Sequence, residues 1–177
     1  MATFTIKKNS LDSDNYFMND QILARYDGNI ESDEGLGQIR FRESIRAYGR
    51  ILFREGSGVK SDKSICAWGS LKSSWGIEAD GGIISGGSIE SGCGIIAGLD
   101  IEAGWGIEAG KAIVTKQSII SGQGIKAGWG ISAKTIRAPL RVFAGLYMRA
   151  LPTQEQMEIR CEKFYGGQIA HGYLIAA

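Results

Sequence analysis

Residues 104–133 read GWGIEAGKAIVTKQSIISGQGIKAGWGISA, and within them an isoleucine recurs at every sixth position. The spacing extends upstream without a slip, and the whole series of aliphatic residues is Val59, Ile65, Leu71, Ile77, Ile83, Ile89, Ile95, Ile101, Ile107, Ile113, Ile119, Ile125 and Ile131. Two residues after each of them lies a small Ser, Ala or Thr, so the unit reads I-x-A-G-x-G. A repeat this regular indicates a fold built by stacking one structural unit.

A period of six does not fit an α-helix, whose apolar stripe needs spacings of three and four. It fits a three-residue strand, in which residues i and i+2 point inward and the middle residue points outward. The Gly-x-Gly that follows suits a corner. Because one such strand buries almost nothing alone, the sequence predicts coils of three strands stacked about 4.8 Å apart. We therefore expect an all-β fold, a triangular parallel β-helix (β-solenoid) with roughly 18 residues per coil.

The repeat also predicts the organisation of the chain. Residues 1–29 precede the pattern and are expected to form an N-terminal segment or cap, and the solenoid is expected over residues 30–145. Residues 146–177 follow it. There the sequence predicts strands at about 157–163 and 168–175, joined by a turn at Gly166-Gly167. We expect a short hairpin-like extension that packs on the solenoid or on a partner.

Composition limits the functional classes. The 177 residues carry a formal net charge of +1, which argues against a generally polycationic nucleic-acid binder. No apolar run is long enough for a membrane helix, and we expect no membrane partner and no signal peptide. Three widely spaced cysteines and a single histidine give no disulfide framework and no zinc motif, which suits a cytoplasmic protein. We find no catalytic signature and expect a non-enzyme without cofactor or metal.

The outward positions of an 18-residue coil form three columns. One alternates charges along Lys72, Glu90, Glu108 and Lys126, which is typical of a solvated face; a paired-carboxylate glycosidase site at Glu90 and Glu108 is the alternative. The other two columns place Ile84, Ile96, Val114 and Ile120 toward water. Exposed apolar residues mark a covered or binding surface. The candidates are packing by the C-terminal strands, a homodimer face and a target-binding face.

Aromatic and arginine residues supply further candidates. Trp75, Trp105 and Trp129 occupy the same slot of the repeat, each directly before a glycine, where they either cover corners or act as partner-binding residues. Arginines cluster before the repeat, at Arg40, Arg42, Arg46, Arg50 and Arg54. They either pair with nearby acids, Glu31 among them, or bind an anionic partner such as a nucleic-acid backbone.

The runs GWGIEAGK (104–111) and GQGIKAGWGISAKTI (122–136) resemble glycine-rich hexapeptide-repeat proteins of phages and mobile elements, among which are anti-CRISPR proteins. The small residue after the aliphatic one is similar to the order in bactofilin-like β-helices, which favours a right-handed coil. The resemblance implies a phage-type inhibitor in the host cytoplasm that binds a protein or ribonucleoprotein defence complex. The alternatives are a bactofilin-like self-assembling protein and a carbohydrate-binding or carbohydrate-cleaving β-helix.

Overall fold

Each rung of the repeat forms one short strand, and successive rungs lie on three different faces. The computed structural model describes residues 1–147 and 151–176. It is an all-β parallel β-solenoid of about eight turns with about 18 residues per turn, as the repeat predicts. Within residues 59–133, strands one coil apart pair in parallel with a register of 18 residues, for example Ile83 with Ile101 and Ile101 with Ile119.

We name the three sheets faces A, B and C. Face A contains β1 (Thr3–Ile6), β2 (Asn29–Ser32), β5 (Ile51–Phe53), β8 (Leu71–Ser73), β11 (Ile89–Ser91), β14 (Ile107–Ala109) and β17 (Ile125–Ala127). Face B contains β4 (Ile45–Ala47), β7 (Ile65–Ala67), β10 (Ile83–Ser85), β13 (Ile101–Ala103) and β16 (Ser118–Ser121). Face C contains β3 (Gly37–Phe41), β6 (Ser57–Ser61), β9 (Ile77–Ala79), β12 (Ile95–Ala97), β15 (Ile113–Thr115), β18 (Ile131–Ser132), β20 (Glu158–Cys161) and β22 (Tyr173–Ala176).

Two longer strands join faces B and A near the C-terminal end. Strand β19 (Thr135–Phe143) pairs with β16 through its first residues and with β17 through its last, so it turns a corner. Strand β21 (Lys163–His171) lies beside β19 along most of its length. The described helical segments are one-turn elements: α1 (Asp20–Leu23) and 3-10 turns at Lys8–Ser10 and Glu155–Met157.

The core is a stack of the repeat's aliphatic residues. All thirteen from Val59 to Ile131 are at most 1% exposed, and the small residue after each is also buried. This confirms the inward and outward assignment made from the period of six. Earlier coils are longer: Ile45 pairs with Ile65 and Ile51 with Leu71, a register of 20. The wider coil holds Phe41 and Phe53, whose rings lie 6.4 Å apart.

The N-terminal segment closes one end of the solenoid. Strand β1 pairs with β2 in parallel, so the stack of face A begins before residue 29. Phe17 is 2% exposed and its ring lies 5.9 Å from that of Phe4 and 5.6 Å from that of Phe41. The aromatic rings of the segment therefore continue the core up to the end of the solenoid.

The C-terminal strands do not form the expected hairpin-like extension, so this part of the prediction is wrong. Strand β20 pairs with β18, and β22 pairs with β20, all in parallel, so these strands continue face C instead of folding back. Gly166 and Gly167 lie inside β21, where the strand passes over the corner at Pro139. A Cβ at Gly167 would collide with the carbonyl of Leu140. These glycines thus allow neighbouring coils to approach closely. They do not form a turn between antiparallel strands, so that interpretation is wrong.

Candidate partner-binding surface

The five predicted arginines surround one coil and do not form a single patch. Arg40 lies on β3 of face C and Arg46 on β4 of face B, while Arg42 lies between these strands. Arg50 and Arg54 flank β5 of face A. Because consecutive strands of a triangular coil belong to different faces, arginines close in sequence point in different directions.

Two of these arginines share one buried acid. Glu31 is only 5% exposed, and its Oε1 accepts a hydrogen bond from Arg50 at 2.6 Å while its Oε2 accepts one from Arg54 at 2.6 Å. Arg50, followed by Arg54, lowers the pKa of Glu31 below its usual 4.5. Hydrogen bonds of this charge-assisted kind are stronger than neutral ones. The geometry favours a structural role for Arg50 and Arg54.

Three arginines near the N-terminal end, Arg25, Arg40 and Arg42, contact tyrosine rings. The guanidinium carbons of Arg40 and Arg42 lie 4.9 Å and 4.1 Å from the centre of the Tyr16 ring. On the next corner, Tyr48 accepts a hydrogen bond from Arg25 at 2.7 Å and stacks at 5.0 Å on the indole of Trp68. Sequence reasoning missed Tyr48, since it lies in a longer coil where the period of six is interrupted.

Trp75 and Trp129 lie on the same corner, between faces A and C. The backbone ladder runs from Trp75 through Cys93 and Lys111 to Trp129, with N–H···O distances of 3.4, 3.0 and 3.3 Å. Three coil steps separate the two tryptophans, about 14 Å at the usual strand spacing. Trp75 is exposed, whereas Trp129 is half-buried against Tyr147, 6.0 Å away, and lies beneath the Lys111 ammonium. Trp105, 60% exposed, lies on the corner between faces B and A.

The apolar outward residues lie on two faces. Ile96 and Val114 are neighbours on face C and are 46% and 37% exposed. On face B, Ile84 is exposed and Ile120 is half-buried, with Glu102 between them. The C-terminal strands continue the stack beyond these residues and do not lie over them. Within the described residues, the C-terminal strands thus leave these columns exposed, and the homodimer face and the target-binding face are the candidates that this arrangement favours.

The tryptophan corner and Ile96 of face C line one depression. We call it the face-C cleft and define it by Trp75, Glu78, Ile96, Lys111 and Trp129; its volume is about 360 Å³. The walls are the two indoles, and Ile96 lies between them.

A second depression of about 350 Å³ adjoins the face-C cleft. It is lined by Val114 and by the other side of Trp129, and Glu158 and Arg160 form an ion pair at its margin. At the far side of the cleft, Lys60 pairs with Glu78 at 3.3 Å. The apolar centre thus has a polar rim, as protein-binding surfaces do.

Face A carries the charged column. Glu90 and Glu108 are register neighbours, and each binds a lysine: Lys72 lies 2.8 Å from Glu90 and Lys126 lies 2.5 Å from Glu108. The hydrogen bond with Glu90 raises the pKa of Lys72. In retaining glycosidases both carboxylates of the pair act on the substrate, whereas here each carboxylate is bound to a lysine of the same column. This ladder therefore favours the solvated-face interpretation.

Comparison with known proteins does not show a family for this chain. No family model, no curated protein and no solved structure matches the chain. Among residues 1–147 and 151–176, no group of three or more His, Cys, Asp or Glu side chains is placed to hold a metal ion. In the same part of the chain, no helix has the length and hydropathy of a membrane span.

Proposed function

We propose that this chain is a non-enzymatic binding protein that docks on a macromolecular partner through the face-C cleft. The observation that carries the proposal is that Trp75 and Trp129 line one depression with exposed Ile96, and that exposed Val114 lines the adjoining depression. Tryptophan is enriched among the residues that dominate binding energy, and contiguous exposed apolar residues mark interaction surfaces. A partner side chain of apolar or aromatic character would occupy the space between the indoles.

The rigidity of the surface supports this role. Ile95 and Ile113, beside the exposed pair, are fully buried, and their strands β12 and β15 are paired on both sides along face C. Binding residues held on such a scaffold lose little conformational freedom when a partner arrives, which favours affinity.

The partner class that we propose is a bacterial nucleic-acid-targeting complex, with the chain acting as an inhibitor of the anti-CRISPR type. The resemblance of the repeat supports this choice. Of the five clustered arginines, Arg40 and Arg46 form no ion pair within the described residues, and we propose that these two contact the nucleic acid. Two phosphate contacts predict a salt dependence of binding with a slope of at most about 2.

The test is a pull-down with purified CRISPR effector complexes combined with a DNA-cleavage assay. The intact chain is expected to bind and to protect the target. Trp75→Ala and Ile96→Asp are each expected to weaken binding by 10-fold or more, because each removes part of the cleft. Ile84→Asp, on face B, is the matched control and should bind normally. No association with any effector would refute the inhibitor role, and equal loss in all three variants would refute the face-C site.

A self-assembling structural role is the second candidate. It is favoured by a different observation: within the described residues, β21 and β22 at the C-terminal end of the solenoid each pair along one edge only.

A further inference from the structure

The two ends of the solenoid are not alike. At the N-terminal end, chain segments occupy the strand edges: Phe17 N–H donates to Arg40 O at 2.9 Å, and Tyr26 N–H donates to Arg46 O at 2.8 Å. Leu11, Phe17 and Leu23 are buried there and cover the core. At this end the core is therefore covered and the edges of faces B and C are occupied, although Met18 and Ile22 are exposed on the outside of the segment.

At the C-terminal end the core is uncovered. The register places one inward residue of the last coil on each face: Phe164 opposite Ile136, Ile169 opposite Val142 and Leu174 opposite Ile159. Those three partners in the preceding coil are 0% exposed, whereas Phe164 and Ile169 are half-buried and Leu174 is 50% exposed. Each face thus presents one inward-pointing apolar side chain to solvent.

The backbone at this end is open as well. Strand β22 is exposed along its whole length and pairs only through its inner edge, with β20. Strand β21 likewise pairs only with β19 in the described part of the chain. Edges with unpaired N–H and C=O groups are templates for another strand. Residues 163–176 carry one lysine and one histidine and no acidic residue, so charge opposes their self-association little.

We propose that the C-terminal end docks against the same end of a second copy of this chain. A twofold axis through face C makes β22 of the two copies antiparallel neighbours and sets face A of one copy against face B of the other. Leu174 then meets the Leu174 of the second copy, and Phe164 meets its Ile169. All three uncovered core residues find apolar partners, and every open strand gains an antiparallel neighbour.

The occupied N-terminal end sets the size of the assembly. Within the described residues, only the C-terminal end has an uncovered core; at the N-terminal end, β1 leaves one open edge, on face A, over a covered core. We therefore expect addition to stop at two copies. The dimer is a rod that carries one face-C cleft in each half, which would allow bivalent binding to a partner with two sites. This inference rests on the strand edges and is independent of the proposed binding function of the face-C cleft.

The test is the mass of the 177-residue chain in solution, by light scattering after size-exclusion chromatography over a range of concentrations. The expected species has twice the 19.1 kDa mass of the chain. Leu174→Asp places two carboxylates face to face across the axis and is expected to raise the dimer dissociation constant 10- to 100-fold, which corresponds to about 1.4–2.8 kcal/mol for the dimer. Ile84→Asp changes a similarly exposed isoleucine far from the end and should leave the dimer intact.

A second measurement tests the twofold geometry. Leu174→Lys is expected to dissociate like Leu174→Asp, whereas a mixture of the two variants should recover a dimer because opposite charges then meet. If the monomer of each variant unfolds at the same temperature as the wild-type monomer, the coil of the variant is intact. A monomeric wild-type chain, a filament, or a dimer that survives Leu174→Asp would overturn the proposal. Partner binding is measured separately with the Leu174→Asp monomer. If this monomer still binds the partner, the face-C function holds whether or not the chain dimerises.

Discussion

Gly104 and Gly106 lie two residues apart on the corner between faces B and A, yet the structure predicts opposite effects of replacing them by alanine. A Cβ at residue 104 would lie well inside 3.0 Å of the Gly86 carbonyl oxygen of the preceding coil. At residue 106 the nearest atom to a Cβ would be the Gly124 oxygen at 3.6 Å, an ordinary contact. Neither glycine has a positive φ, so the difference is one of space.

The magnitude follows from what must move. Relief of the Gly104→Ala collision separates two coils by about 1 Å. The separation strains the hydrogen bonds from Gly104 N–H to Ser85 O (2.9 Å) and from Trp105 N–H to Gly87 O (3.2 Å). Overpacking costs about 1–3 kcal/mol and each weakened hydrogen bond up to about 1 kcal/mol. Replacing glycine by alanine also stabilises the folded protein by about 0.4–1 kcal/mol, because alanine lowers the conformational entropy of the unfolded chain. We expect a net loss of about 2–4 kcal/mol.

The assay is thermal unfolding of the two variants beside the wild-type chain. For a protein of this size, 1 kcal/mol corresponds to about 2–4 °C in Tm. Gly104→Ala is expected to lower the Tm by roughly 5–15 °C, whereas Gly106→Ala should leave it unchanged or raise it by a few degrees. Equal Tm values for the two variants, or a larger loss for Gly106→Ala, would refute the argument that contact between coils, and not backbone conformation, requires glycine here.

Three further predictions concern buried polar groups. In urea denaturation at pH 7, Glu31→Gln should lower the free energy of unfolding by about 1.5–3 kcal/mol. The control, Glu108→Gln on the exposed ladder, should lower it by less than about 1 kcal/mol. Since the folded pKa of Glu31 is depressed, its contribution is present above about 4.5 and is lost as pH falls through the lower folded value, so wild type and Glu31→Gln should converge in acid; a constant difference would contradict this. Cys161, 2% exposed and with its pKa raised by burial, should resist iodoacetamide in the native state while half-buried Cys93 reacts, as mass spectrometry would show. Ser121→Ala should cost about 1 kcal/mol in unfolding free energy, because the Ser121 hydroxyl bonds the Trp105 and Gly124 carbonyl oxygens; a neutral effect would count against that role.

The regular part of the fold was predictable because every coil repeats the same physical requirement. An aliphatic residue and a small one point inward at each rung, so the period alone assigns strands, faces and columns from Val59 to Ile131. The pairing of Trp75 with Trp129 on one corner follows from the same count of 18.

The remainder depends on contacts that break the period. The hydroxyls of inward serines such as Ser91 and Ser121 bond corner carbonyls of the preceding coil, whereas the period shows only that a small residue is needed. In β21 the glycines allow coils to approach closely, although the pair Gly166-Gly167 is also typical of a turn. Clustering of arginines in sequence does not give clustering in space, because a triangular coil turns the chain to a new face every few residues.

The outward slots explain why the face-C cleft is a candidate for function. Lys60, Glu78, Ile96 and Val114 are successive outward residues of face C, in equivalent backbone positions. The slot therefore accepts either charge, and the fold does not require isoleucine or valine there. Within residues 1–147 and 151–176, burial by the chain itself is not the reason either, because the C-terminal strands extend face C without covering it. Residues that neither the backbone nor the core demands, exposed beside two tryptophans on the same corner, are best explained by a partner that removes them from water.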